Sequence, residues 1–217
     1  MNPSSSAPRE MVYIVDDDPS ICEGIGNLLE AMGIATCSFA SAEAFQAAWE
    51  PDNRGCLLLD ARLPGMSGVE LQERLEKYGV GLPVIFMTAH GDMAMVRKVL
   101  KGGALEFLVK PFQQDELIHA IQQAFEQDRK RRAEQAALTS IQQRIDRLSE
   151  RELQVMARVT AGKLNKQIAA ELGVSEITVK LHRRKVMERM EAASLAELVK
   201  LCEKAGFPNK PPATDGK

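Results

Sequence analysis

No apolar run in this 217-residue chain approaches the ~20 residues that a membrane-crossing helix needs; the longest resemble MVYIV at 11–15. The N-terminal MNPSSSAPRE has no apolar segment of the kind found in a secretory leader. A cytoplasmic location without membrane contact is therefore expected. Cysteine is scarce and scattered: Cys22, Cys37, Cys56 and Cys202 form no CxxC pair and no Cys/His spacing suited to zinc. They read as reduced structural thiols. Glycine is missing from the loop after the first apolar run, which reads VDDDPS. An acidic loop without glycine repels a phosphate where a flavin- or nucleotide-binding domain would cradle it. Glycine and proline are also missing from 113–147, so nothing there interrupts a long helix.

The net charge of -2 is small because two large imbalances cancel. Residues 1–127 carry 9 basic and 18 acidic side chains, and residues 128–217 carry 19 and 12, a net of -9 followed by +7. Only the second part is suited to a polyanion.

Between Met11 and Gln127, five short apolar runs alternate with amphipathic segments: 11–15, 34–39, 56–60, 83–88 and 105–109. Runs without polar alternation mark strands buried on both faces, hence a parallel sheet covered by helices. The expected fold is an α/β doubly wound five-stranded parallel sheet of flavodoxin-like topology. A long linker helix and an all-α four-helix helix-turn-helix domain should follow it. The expected divisions are a disordered N-terminus at 1–10, a first domain at 11–127, a helical linker at 128–147, a second domain at 148–206 and a disordered tail at 207–217. Asp18-Pro19 marks a helix start, and Ser67 with Glu70 and Ser149 with Glu152 form capping boxes. The linker, with apolar residues such as Ile141 and Ile145 every three or four positions, reads as an exposed helix or a weak coiled coil between subunits. Its RKRR run at 129–132 reads as a solvated face, with nucleic acid or a partner as the alternative.

In a parallel sheet the loops at the carboxyl ends of the strands converge. That edge should gather Asp16 and Asp17, Asp60, Thr88 and Lys110. Clustered carboxylates hold their charge best around a hard divalent cation, Mg²⁺ where phosphate is involved. A lysine and a hydroxyl beside them can stabilise an incoming phosphoryl group. With VDD at 15–17, DARLPGMSG at 60–68, TA at 88–89 and KPF at 110–112, residues 11–127 resemble a receiver domain of the bacterial two-component family. The resemblance implies that Asp60 accepts a phosphoryl group from a sensor histidine kinase. It also implies that Asp17, Asp60 and the Arg62 carbonyl hold Mg²⁺, with Asp16 acting mainly through water. Thr88 and Phe107 would move as switch residues, Lys110 would pair with the phosphoryl group, and the Lys110–Pro111 bond would be cis. The chain would then not be an enzyme; slow self-dephosphorylation, tuned by Arg62 and His90, is its one expected turnover. A haloacid-dehalogenase-type phosphohydrolase is the enzymatic rival, but it carries its nucleophile on the first strand, whereas the acceptor expected here is on the third.

Around 175–190, a helical plot puts Val179, Arg183, Val186, Met187 and Met190 on one, mostly apolar, side and Ile177, Lys180, Leu181, Arg184, Lys185 and Glu188 on the other. A leucine opposite the apolar face can pack on thymine methyl groups while Lys180 and Arg184 reach guanine edges or phosphates. With NKQIAAELG at 165–173 and TVKLH at 178–182, the stretch 148–206 resembles the output domain of LuxR-type regulators of the FixJ/NarL group. That resemblance favours Lys180, Leu181 and Arg184 as base-facing residues. Lys166 and Lys185, with Lys163, Asn165 and His182 as weaker candidates, would meet the phosphate backbone. The implied partners are promoter DNA, RNA polymerase and a second copy of the chain on activation. A transcription factor that binds DNA independently of phosphate is the alternative.

Overall fold

The computed structural model describes residues 10–89 and 103–207. Five strands, β1 (Met11–Val15), β2 (Ala35–Phe39), β3 (Gly55–Asp60), β4 (Val84–Thr88) and β5 (Glu106–Val109), form one parallel sheet in the order β2-β1-β3-β4-β5. Side chains alternate across it. Val12, Ile14, Leu58, Ile85 and Met87 face one core, and Tyr13, Val15, Leu57, Leu59 and Phe86 face the other. The first core is closed by α1 (Pro19–Ala31) and the start of α4 (Gln114–Asp146), through Leu29, Leu117 and Ile121. The second is closed by α2 (Ala42–Ala48) and α3 (Gly68–Lys77), through Phe45, Leu71 and Leu75. Two covered faces explain why the strand sequences carry no polar alternation. Asp18 caps α1 by accepting from the Ser20 N–H at 2.9 Å, and Ser67 and Glu70 complete the capping box of α3.

The chain divides into two compact units, Met1–Arg132 and Ala133–Lys217, with the boundary inside α4. The second unit contains the end of α4 followed by α5 (Glu150–Thr160), α6 (Asn165–Leu172), α7 (Glu176–Arg189) and α8 (Leu195–Lys204). Its core includes Ile141, Ile145 and Leu148 together with Val155, Val179 and Val186. The apolar positions late in α4 are therefore buried against their own unit, not presented on an exposed helix for a coiled coil.

Half of the RKRR run departs from the solvated face expected of it: Arg129 and Lys130 are exposed, but Arg131 and Arg132 are half-buried. Asp128, only 1% exposed, accepts from Arg131 Nη2 and Arg132 Nε at 2.7 Å each, and from the Gly55 N–H at 3.1 Å. Arg132 also donates to the Asn53 carbonyl, and Arg129 pairs with Glu10. The basic run thus clasps α4 to the amino-terminal ends of β1 and β3. Gly55 has φ +120°, and a Cβ there would lie 1.9 Å from the Met11 carbonyl oxygen, so the tight entry to β3 requires glycine.

Burial alone would raise the Asp128 carboxyl, but the hydrogen bonds from Arg132, Arg131 and Gly55 outweigh it and hold it below the usual range. A depressed carboxylate stabilises the fold above its unfolded pKa, about 3.9, and loses that contribution as pH falls through the folded value. Removing one partner of a fully buried pair costs about 3–5 kcal/mol. The arginines here keep some solvent, so Asp128→Ala is expected to lower the stability of the first unit by about 2–3 kcal/mol at pH 7. Chemical denaturation at pH 7 and pH 3.5 checks this: the gap between the proteins narrows at the lower pH.

Candidate functional site

The sheet register places four strand ends side by side. Val15, the last residue of β1, pairs with Leu59; Asp60 pairs with Met87; Thr88 pairs with Val109. Asp16 and Lys110 each follow the last residue of their strand, so both enter the same edge as Asp60 and Thr88. Lys110 Nζ lies 2.6 Å from Asp16 Oδ2 and 2.6 Å from Asp60 Oδ2. Backbone donors hold the remaining oxygens: the Asp18 N–H donates to Asp16 Oδ1 at 3.0 Å, and the Arg62 N–H to Asp60 Oδ1 at 2.8 Å. Asp16 is buried, Asp60 half-buried and Asp17 exposed. These three carboxylates each offer an oxygen, all within 4.8 Å of one another. Such a cluster of hard oxygen donors fits a divalent cation.

The electrostatics follow from this crowding. Burial pushes the Asp16 carboxyl up, and the hydrogen bond from Lys110 only partly offsets it. Burial would lower Lys110, but its bonds to Asp16 and Asp60 outweigh that and keep the ammonium charged. The lysine thus serves as the counter-charge of both carboxylates.

Thr88 is buried, and its carbonyl accepts from the Lys110 N–H at 2.8 Å. Phe107 is half-buried and packs against the α2–α3 core. The Lys110–Pro111 bond is cis. Arg62 is exposed, and His90 lies outside the described residues. Two further positions shape the site without standing out in the sequence. Gly68 lets α3 start against the site, since a Cβ there would lie 2.2 Å from the Asp60 carbonyl oxygen; its signal was the last glycine of DARLPGMSG. Glu43 on α2 accepts from the Met66 N–H at 2.9 Å and tethers the loop following Asp60. A contact 23 residues away in sequence leaves no local pattern.

In the second unit α6 and α7 are joined by a three-residue turn, with Gly173 left-handed at φ 64° and Ser175 capping α7. Val179 and Val186 of α7 and its C-cap Met190 are buried, whereas Lys180, Leu181, Arg184 and Lys185 are exposed. Lys166 is exposed on α6. The weaker candidates are engaged elsewhere: Lys163 pairs with Glu171, and Asn165 accepts from Arg183 at 3.1 Å. His182 is half-buried. The four cysteines are free thiols, and burial pushes that of Cys202 up to about 11.

The class defined by this fold and site is a receiver domain joined to a helix-turn-helix unit. Residues 12–122 match the response regulator receiver domain family, and residues 146–202 match the luxR family of bacterial regulatory proteins. The chain is 42% identical to nodulation protein W of Bradyrhizobium diazoefficiens over 204 residues, covering 94% of this chain and 90% of that one. It is 41% identical to the transcriptional regulatory protein FixJ of Rhizobium meliloti over 197 residues, covering 90% and 96%. Among solved structures it resembles the response regulator StyR at TM-score 0.82 and 44% identity, covering 90% and 99%. Full-length FixJ from B. japonicum is similar at TM-score 0.55 and 36% identity, covering 93% and 100%. The chain belongs to the two-component response regulators of the FixJ/NarL type, which bind DNA through a LuxR-type helix-turn-helix. No helix among the described residues is long and apolar enough to cross a membrane.

Proposed function

We propose that Asp60 is the phosphoryl acceptor, supplied by a phosphohistidine of a sensor kinase. In the transfer the P–N bond to the histidine breaks, a P–O bond to an Asp60 carboxylate oxygen forms, and the imidazole leaves. The observation that carries this reading is Lys110 Nζ bridging Asp16 and Asp60 at 2.6 Å each. It puts a fixed positive charge beside the acceptor. Asp17, Asp60 and the Arg62 carbonyl are the proposed Mg²⁺ ligands, with Asp16 acting mainly through water. Bound there, the cation would neutralise charge on the phosphoryl oxygens. Lys110, already beside Asp60, would pair with the phosphoryl group once Asp60 carries it. Thr88 donates a hydrogen bond to that group, and Phe107 turns inward behind it. Slow hydrolysis, tuned by Arg62, resets the site.

The modified receiver shifts a pre-existing equilibrium towards a homodimer. That dimer binds two half-sites of promoter DNA and meets RNA polymerase in the cytoplasm. Lys180, Leu181 and Arg184 face the bases, with Lys166 and Lys185 on the phosphates.

Binding of the full chain to genomic DNA fragments, measured with and without acetyl phosphate and Mg²⁺, tests the coupling. Treatment is expected to increase the bound fraction; equal binding in both states means control independent of phosphate. Asp17→Asn tests the cation. It is expected to raise the Mg²⁺ concentration needed for half-maximal labelling by about tenfold or more, since even outer-shell partners of a metal act on that scale. An unchanged Mg²⁺ requirement removes Asp17 from the ligand set.

A further inference from the structure

Among the described residues, α7 carries a second large apolar side chain on its outer face. Ile177 is 79% exposed and Leu181 is 53% exposed. Positions 177, 181, 184 and 188 follow the spacing of a single helical stripe. An isolated exposed apolar residue is ordinary. Ile177 is harder to dismiss, because a β-branched residue lowers helix propensity in the first turn and buries nothing in return. The buried side of α7 is already complete, with Val179, Val186 and Met190 in the core and Arg183 held by Asn165.

The surroundings of the stripe indicate what covers it. Lys180 and Lys185 flank it and Arg184 lies on it, all exposed, so its partner is polyanionic as well as apolar at the point of contact. The major groove of DNA meets both conditions, since thymine methyl groups lie there between rows of phosphates. On the same stripe, Arg184 Nε is held by Glu188 Oε1 at 2.8 Å. That leaves the two Nη groups to form a fork for the O6 and N7 of a guanine.

We propose that Ile177 is a specificity-determining residue that reads a thymine methyl group, one helical turn from the thymine met by Leu181. This rests on the reading of α7 as the recognition helix. Four residues span about 6 Å along a helix, and bases on one strand are about 3.4 Å apart. The two thymines are therefore separated by about two base-pair steps.

Selection of duplexes from a random pool with the full, acetyl-phosphate-treated chain identifies a preferred site. Uracil then replaces each thymine of that site in turn, which removes one methyl and nothing else. For the wild-type chain, one such replacement is expected to weaken binding about fourfold, the worth of one buried methyl group. Ile177→Ser is expected to be insensitive at that position while remaining sensitive at another, and Ile177→Val to keep the wild-type response. Equal uracil responses in Ile177→Ser and wild type, or a selected site without thymine, overturn the proposal. So does an Ile177→Ser variant altered in oligomeric mass alone, which would assign the stripe to a second copy. The underlying reading fails separately, if Lys180→Ala and Arg184→Ala leave binding to the selected site unchanged.

Discussion

Asp60→Asn is expected to reduce phosphate incorporation from acetyl phosphate to background, as read by intact-protein mass or radiolabel. The amide nitrogen cannot form the acyl phosphate, and the amide oxygen is too poor a nucleophile to replace a carboxylate. The fold should survive, because the amide oxygen can still accept the 2.8 Å hydrogen bond from the Arg62 N–H. Stability should change little, since the substitution relieves repulsion among three carboxylates within 4.8 Å but gives up the 2.6 Å ion pair with Lys110, which keeps its bond to Asp16. Loss of labelling with a largely unchanged melting temperature therefore identifies a missing acceptor and not a broken domain. Labelling that persists at the wild-type level moves the acceptor elsewhere.

The second large effect is expected at the other end of the chain. The double variant Lys180→Ala, Arg184→Ala should lose about a hundredfold or more in affinity for a selected duplex, since each good contact to a base edge is worth about 1–3 kcal/mol. Its melting temperature should scarcely change. Both side chains are exposed, and the Arg184–Glu188 pair is a surface i, i+4 bridge worth at most a few tenths of a kcal/mol. Fluorescence anisotropy over a range of salt concentrations measures the loss and separates its sources. A loss confined to phosphate contacts appears as a shallower salt dependence with sequence preference retained.

Much of this was legible in the chain because it is written locally. Runs such as CLLLD and PVIFMT have no polar alternation, so they read as strands covered on both sides. Once the strands are parallel, Asp16, Asp60, Thr88 and Lys110 must share an edge. The caps at Asp18, Ser67 and Ser149 are short-range and follow from side-chain reach. The less legible part depends on distant partners. Asp128 could be paired with Arg131 and Arg132 from helical spacing, but its bond to Gly55 spans 73 residues. Ile141 and Ile145 have the same periodicity whether they face a neighbouring subunit or their own core. The choice was made by burial against Val155 and Val179, which no window of sequence contains.

The clasp at Asp128 and the burial of Ile141 bear on how such chains can be divided or recombined. A fragment ending at Gln127 discards the acceptor of the Gly55 N–H, and one beginning at Leu148 discards two isoleucines from its own interior. Viable junctions between one regulator's input half and another's output half should therefore fall in the short stretch 133–140, after the last clasp arginine and before the first core isoleucine. That stretch is built from alanine, glutamine, leucine and other residues that mostly sustain a helix unaided. Chimeras joined there should express as folded protein, and those joined at 127 or 148 should be the ones recovered as aggregates.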